Sequence, residues 1–96
     1  MNSVIQILQE NLPALKAKYP LKTLAVFGSY SRGTQKPDSD LDVLYEALPN
    51  TFLNLYSYMD LKQDLAELTH LKIDLVNKKY INPVVWLKAK NDVIYV

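Results

Sequence analysis

The chain has 96 residues, which is enough for one domain with a hydrophobic core but too few for two. Eleven basic and ten acidic residues leave a net charge of +1, so we expect no basic stripe and no direct binding of nucleic acid. The absence of cysteine excludes disulfides and thiolate metal sites. No stretch approaches the roughly 20 apolar residues that span a bilayer, so we expect a cytoplasmic protein without membrane contact.

Hydrophobic spacing in the first third of the chain predicts a helix and then a strand. Apolar residues recur every three or four positions over residues 3–18, which indicates an amphipathic helix. Pro13 removes a backbone donor, so this helix should kink or split near Asn11. The continuous apolar run at residues 24–27 is typical of a strand covered on both faces, and it stops at Gly28.

The rest of the chain alternates between the two kinds of spacing. Three segments follow in order: a strand at 41–45, a helix of about fifteen residues at 54–69, and a strand at 72–76. Asn82 and Pro83 are typical of a helix start, and residues 93–96 could add a short edge strand. The order predicts an α/β fold in which helices pack against a small mixed sheet, within one domain over residues 1–96.

Acidic side chains mark two of the predicted strands. Residues two apart on a strand face the same side, so Asp40 and Asp42 present their carboxylates together. Neighbouring anions repel, and a shared proton or a hard cation such as Mg²⁺ relieves the repulsion. Asp74 lies on a predicted inner strand, where an unpaired charge is costly, and it could meet the pair if the strands are neighbours. Three carboxylates so placed would suit two divalent ions that act on a phosphoryl group.

The loop before these acids carries groups that suit a phosphate. Gly28 lets the backbone leave the strand sharply and approach a ligand closely. Ser29 adds a hydroxyl and, with the N–H groups of a predicted short helix at 29–32, forms an anion cradle. Arg32 supplies a permanent positive charge. Ser39 shapes the turn into the acidic strand and completes the predicted nucleotide-binding set, so loop and strand should converge on one polyphosphate.

The string from Phe27 to Asp42 resembles the signature of the minimal nucleotidyltransferases, a subgroup of the DNA polymerase β-like superfamily. In this sequence Gly28-Ser29 is followed by ten residues and then by Asp40-Leu41-Asp42. Asp74 stands where that family has its third acid. The similarity extends over nearly the whole chain, including the Asn-Pro-Val segment and the closing Val-Ile-Tyr segment.

The resemblance implies an activity, a cofactor and a partner. Members of this subgroup are commonly antitoxins paired with a HEPN-domain ribonuclease toxin, which implies transfer of AMP from ATP to a tyrosine of the toxin. In such a mechanism Asp40 and Asp42 would ligate two Mg²⁺ ions, and Asp74 would complete the catalytic and metal site. Gly28 and Ser29 would hold the triphosphate. Because the chain is too short for a separate acceptor-binding domain, the acceptor surface should come from the partner, in a hetero-oligomer with the toxin. The resemblance is also compatible with a homo-oligomer of this chain.

Two other functions stay open at this point. The first is an interaction module that neutralises its partner by occlusion and retains the acids for folding or nucleotide sensing. It predicts that asparagine at Asp40 and Asp42 still protects cells from the toxin. The second is nucleotidyl transfer to a small molecule such as an aminoglycoside, against which the lack of a second domain argues.

Overall fold

The computed structural model describes residues 3–96, whose helices and strands alternate along the chain. The elements are α1 (Ser3–Lys18), β1 (Leu21–Phe27), α2 (Ser29–Arg32), β2 (Leu41–Ala47), α3 (Leu55–Thr69), β3 (Ile73–Asn77), a 3-10 helix (Lys78–Tyr80), α4 (Pro83–Ala89) and β4 (Ile94–Tyr95). The predicted α/β fold with helices against a small mixed sheet is confirmed. Across residues 3–96, no helix combines the length and the hydropathy that a bilayer crossing requires.

The four strands form one sheet in the order β3-β2-β1-β4. β1 is antiparallel to both of its neighbours, β2 and β4, whereas β2 and β3 are parallel. A parallel pair needs a crossover connection, and α3 provides it. The two strands that carry the acids are therefore neighbours in the sheet, as the proposed meeting of Asp74 with Asp42 requires. Their register places Asp42 directly opposite Asp74.

Helices α1 and α3 cover one face of the sheet and enclose the main core. The fully buried side chains of this core come from both helices and the central strands: Leu8, Leu24, Val26, Leu41, Val43, Leu61 and Leu65. A smaller cluster covers the opposite face, where Ala89 of α4 packs with Ala25, Phe27 and Leu44. The apolar run in β1 is thus buried on both faces, as its composition predicts. The acids of β2 and β3 lie on the α4 side, because their positions alternate with those of the main core.

Helix α1 continues without a break from Ser3 to Lys18 and includes Pro13. The predicted split near Asn11 is wrong. Leu8 and Leu15 are buried on either side of the proline, so packing against the sheet holds both halves of the helix in place. This packing outweighs the local cost of an interior proline, which is about 3 kcal/mol.

Asparagine side chains begin the two later helices. Asn54 Oδ1 accepts a hydrogen bond from Ser57 N at 2.8 Å and starts α3. Asn82 Oδ1 accepts from Val84 N at 2.8 Å, with Pro83 in the first turn of α4, so the predicted start of this helix is confirmed.

Candidate active site

The site begins where β1 ends, at Gly28. Gly28 has φ of 74°, in the left-handed region that favours glycine. A Cβ at this position would come within 3.1 Å of Asp42 Cγ and would clash with Asp42 Oδ2. The loop backbone therefore approaches the acidic strand more closely than any other residue type would allow, whereas the predicted approach to a ligand stays a prediction.

Hydrogen bonds fix the shape of this loop. Gly28 O accepts from Ser31 N and from Arg32 N, both at 3.2 Å, and from Ser31 Oγ at 2.7 Å. Ser29 begins α2, and its carbonyl oxygen accepts from Thr34 N at 3.0 Å. The loop and its short helix form one compact turn beside the sheet, and the helix predicted at 29–32 is confirmed.

Asp42 and Asp74 form the centre of the site. They are paired residues on parallel strands, so their side chains leave the same face of the sheet, and Asp74 acts on the pKa of the Asp42 carboxyl. Asp42 is half-buried beneath the Gly28 loop, whereas Asp74 is exposed. The prediction that Asp74 sits on an inner strand is wrong, because β3 is an edge strand and its outer side is open.

Asp40 lies one position before β2 and is exposed. Its negative charge contributes to the pKa of Asp42, so the two carboxylates are near one another. Within residues 3–96, however, no three acidic or histidine side chains converge closely enough to enclose one metal ion. The structure thus places Asp42 and Asp74 opposite each other on neighbouring strands, and Asp40 lies outside this pair.

The pKa of Asp42 reflects this crowding of acids. Burial, the hydrogen bond with Asp74 and the negative charges of Asp74 and Asp40 together raise the pKa of the Asp42 carboxyl to about 6. The Arg32 guanidinium acts in the opposite direction but more weakly. A cation bound to these carboxylates would remove the repulsion, and an all-oxygen donor set fits a hard ion such as Mg²⁺.

The two remaining predicted residues lie at the edge of the site. Arg32 Nη1 is 4.0 Å from Asp92 Oδ2, and both side chains are well exposed. Ser39 Oγ accepts a hydrogen bond from Lys36 N at 2.9 Å, and Ser39 N donates to Lys36 O at 3.0 Å. Ser39 therefore shapes the turn that leads into β2, which agrees with its predicted structural role.

A groove next to Gly28 was not predicted from the sequence. It measures about 210 Å³ and is lined by Phe27, Gly28, Arg32, Val85, Lys88 and Ala89. Val85 and Lys88 are three positions apart on α4 and share one face of that helix. Sequence spacing could reveal this shared face, but no local signal places α4 against the Gly28 loop.

The profile of the nucleotidyltransferase domain matches residues 8–96. The chain belongs to this nucleotidyltransferase family. A candidate protein adenylyltransferase of Methanocaldococcus jannaschii is 38% identical to this nucleotidyltransferase over 97 residues, which cover 100% of this chain and 97% of the relative. The protein adenylyltransferase MntA of Thermococcus cleftensis is 31% identical over 98 residues, which cover 100% of this chain and 95% of MntA.

Two solved structures share the fold of this nucleotidyltransferase. A crystal structure of a toxin-antitoxin with AMP-PNP has a TM-score of 0.64 at 28% identity, over 98% of this chain and 69% of the other. A tri-AMPylated Shewanella oneidensis HEPN toxin in complex with MNT antitoxin gives a TM-score of 0.58 at 24% identity, over 98% and 66% of the two chains, and shows the fold alone. The resemblance to minimal nucleotidyltransferases is thus confirmed, whereas the roles of individual residues stay predictions.

Proposed function

We propose that this nucleotidyltransferase transfers AMP from ATP to a tyrosine hydroxyl of a HEPN-domain toxin and thereby acts as an antitoxin. The observation that carries the proposal is the pairing of Asp42 with Asp74 beneath the Gly28 loop. This arrangement combines paired carboxylates with a close approach of backbone, which is what a polyphosphate substrate needs. The adenylyltransferase names of the relatives support the same reaction.

Each predicted site residue has a proposed task. Gly28 and Ser29 hold the triphosphate, because the strand ends there and the absence of a side chain on Gly28 brings the loop backbone close to Asp42. Arg32 places a positive charge beside it. Ser39 contributes to the nucleotide site indirectly. Its hydroxyl oxygen accepts a hydrogen bond from Lys36 N and so fixes the turn that leads into β2. Asp40, Asp42 and Asp74 are the proposed catalytic and metal-binding residues.

The proposed reaction exchanges one bond to the α-phosphorus for another. The acceptor oxygen forms a bond to this phosphorus while the bond to the bridging oxygen of the β-phosphate breaks, and the electron pair leaves with the diphosphate. The hydroxyl proton passes to Asp74, which is exposed to an incoming acceptor, and then to solvent. When bound, Mg²⁺ supplies positive charge that orients the phosphates and stabilises the negative charge that develops on them.

The setting of the reaction follows from its substrates. We propose that residues 1–96 act as one nucleotidyltransferase domain in the cytoplasm, where ATP is available. The acceptor tyrosine comes from the partner, so the working assembly is a complex with the toxin. No direct contact with nucleic acid is proposed, because the net charge of +1 offers little attraction for a phosphate backbone.

The decisive experiment uses ATP labelled on the α-phosphate, Mg²⁺ and the purified partner. Asp42→Asn should reduce transfer of the label by more than about a hundredfold, since even residues behind metal ligands matter by 10- to 100-fold. Asp38→Asn is the matched control, because Asp38 is an exposed acid in the preceding turn. Equal labelling by the wild type and Asp42→Asn would contradict the proposal.

Occlusion of the partner is a second candidate, favoured by exposed apolar side chains. Phe52 is 78% exposed, Tyr56 80% and Met59 59%, and all three lie at or near the start of α3. Such side chains are typical of surfaces that contact another protein. If occlusion alone protects cells, Asp40→Asn/Asp42→Asn will protect them as well as the wild type does. A parallel assay with small hydroxyl compounds tests transfer to a small molecule.

A further inference from the structure

The groove between the Gly28 loop and α4 has the charge and the position of a phosphate site. Its lining includes two basic side chains, Arg32 and Lys88, and no acidic one. Gly28 belongs to the same lining and lies against the Asp42 carboxylate. The groove therefore starts beside the paired acids and leads away from them along α4.

Lys88 is an exposed lysine that lines this groove. Lys18, Lys22 and Lys78 each form an ion pair with a carboxylate. Within residues 3–96, Lys88 forms no such pair, a property that it shares with several other exposed lysines. The adjacent Ala89 is buried against Ala25, Phe27 and Leu44, so this end of α4 packs on the sheet where β1 ends. An unpaired cation that lines the groove beside Gly28 is well suited to an anionic ligand.

We propose that Lys88 and Arg32 bind the β- and γ-phosphates of ATP in this groove, which makes it the subsite for the diphosphate that leaves. This inference rests on the proposed function, and it adds Lys88 to the residues that bind nucleotide. The α-phosphate lies next to Asp42 and Asp74, so the terminal phosphates extend along the groove towards α4. Val85, on the same face of α4 as Lys88, lines the groove with its apolar side chain.

The subsite has a consequence for ligand selection. As the bond between the α-phosphorus and the bridging oxygen breaks, negative charge accumulates on the departing diphosphate, where the two cations lie. AMP has no terminal phosphates and does not reach the groove. Lys88 should therefore contribute to binding of a triphosphate and not to binding of AMP.

The test measures binding by calorimetry at fixed ionic strength, with AMP-PNP and Mg²⁺ in one series and AMP in another. Lys88→Met should weaken binding of AMP-PNP about tenfold, the effect of one charge-assisted hydrogen bond, and leave AMP binding within a factor of about two. Lys90→Met is the matched control, because it removes the same charge two positions away on a different side of the helix. Lys88→Arg should retain most of the affinity.

Three results would overturn the inference. The first is unchanged AMP-PNP binding by Lys88→Met, and the second is an equal loss for AMP-PNP and AMP. The third is an equal loss in Lys88→Met and Lys90→Met, which would indicate a general effect of charge. Failure of the wild type to bind AMP-PNP would overturn the proposed function as well, so the two failures are distinguishable. Circular dichroism of each variant checks that this exposed substitution leaves the fold intact.

Discussion

At the scale of single residues, the two glycines have different tasks although their backbone angles are nearly equal. Gly28 has φ of 74° and Gly33 has φ of 73°. A side chain on Gly28 would collide with Asp42, whereas a Cβ on Gly33 would meet no other atom within 4 Å. Only Gly28 therefore combines a conformational requirement with a steric one, and the pair provides a matched comparison.

Gly28→Ala should lose both stability and activity, whereas Gly33→Ala should lose stability alone. Each alanine adopts an unfavourable backbone conformation that costs about 1 to 2 kcal/mol. Gly28→Ala also displaces Asp42, so we expect label transfer to fall at least about tenfold, the loss typical of disturbing a residue behind a metal site. Thermal unfolding and the labelling assay measure the two effects. Retained transfer in Gly28→Ala would contradict the steric argument.

The raised pKa of Asp42 predicts that this residue destabilises the folded protein at neutral pH. Its pKa is about 6 in the folded state against 3.8 for an ordinary aspartate. The folded state therefore binds the proton more tightly than the unfolded state. The stability that this residue contributes is fully present below pH 3.8 and is lost as the pH rises through 6.

Asp42→Asn should thus stabilise the protein at pH 8 and have little effect at pH 4. We expect a gain of about 1 to 2 kcal/mol at pH 8, which is less than the full pKa shift implies because solvent reaches much of this carboxyl. Urea unfolding without Mg²⁺ at both pH values measures the difference. Asp38→Asn, in the exposed turn, should show no comparable dependence on pH. A stabilisation equal at pH 4 and pH 8 would exclude titration as the cause.

At the scale of elements, a carboxylate of α3 joins that helix to the end of α1. Asp64 Oδ2 accepts hydrogen bonds from Tyr19 Oη at 2.6 Å and from Lys18 Nζ at 2.8 Å. Burial alone would raise the pKa of Asp64, but the two hydrogen bonds outweigh it and hold the pKa below its usual range. This contribution to stability is present above the ordinary pKa of 3.8 and is lost as the pH falls through the lowered value.

Asp64→Ala should destabilise the protein by about 1 to 3 kcal/mol, because the hydroxyl of the buried Tyr19 side chain loses its partner. Asp60→Ala, one turn earlier on α3 and exposed, is the control and should change the free energy of unfolding by less than about 0.5 kcal/mol. Denaturant unfolding at pH 7 measures both. Equal midpoints for the two variants would show that the hydrogen bonds to Asp64 contribute nothing.

Local sequence patterns predicted the elements well and their extent less well. The start of α4 at Asn82 and Pro83 was predictable, because capping depends on neighbouring residues. β1 begins three residues before its apolar run, since Leu21 and Thr23 pair with the far end of β2. The 3-10 helix at Lys78–Tyr80 was not predicted, although Asn77 Oδ1 caps it locally by accepting a hydrogen bond from Lys79 N at 3.0 Å. Partners more distant in sequence also hold it. Lys78, for example, lies 3.8 Å from Glu46 Oε1 and over the Trp86 ring.

At the scale of the whole molecule, the order of strands decides which predictions of the site succeed. Period-two alternation could predict the face of β2 that Asp42 occupies, because alternation is a local property, although Asp40 lies one position before this strand. Strand order depends on long-range packing, so Asp74 was expected on an inner strand and lies on the edge strand β3. For the same reason, neither the position of α4 beside the Gly28 loop nor the role proposed for Lys88 could be predicted.

The opposite edge of the sheet depends on the last residues of the chain. In β4, Ile94 pairs with Val26 and Tyr95 with Ala25, and Val96 N donates to Leu24 O at 3.0 Å. These contacts cover the outer side of β1, the most buried strand. Without them, unpaired backbone groups of β1 would face solvent and could pair with another molecule.

A chain that ends at Val93 should lose about 2 to 3 kcal/mol of stability, given about 1 kcal/mol for each backbone hydrogen bond. It should also tend to associate through the open edge. Tyr95→Ala keeps the backbone of β4 and is the control, with a smaller loss. Urea unfolding and sedimentation velocity measure the two effects. A truncated chain as stable and as monomeric as the Tyr95→Ala variant would contradict the role given to β4.

The parallel pairing of β2 with β3 determines when the pair of Asp42 and Asp74 can first assemble during synthesis. Asp74 leaves the ribosome 32 residues after Asp42, and α3 must form between them before the two carboxylates can meet. A nascent chain that has released only α1, β1 and β2 already carries the Gly28 loop but lacks half of the acidic pair. The proposed reaction therefore requires that the second half of the chain has emerged and docked.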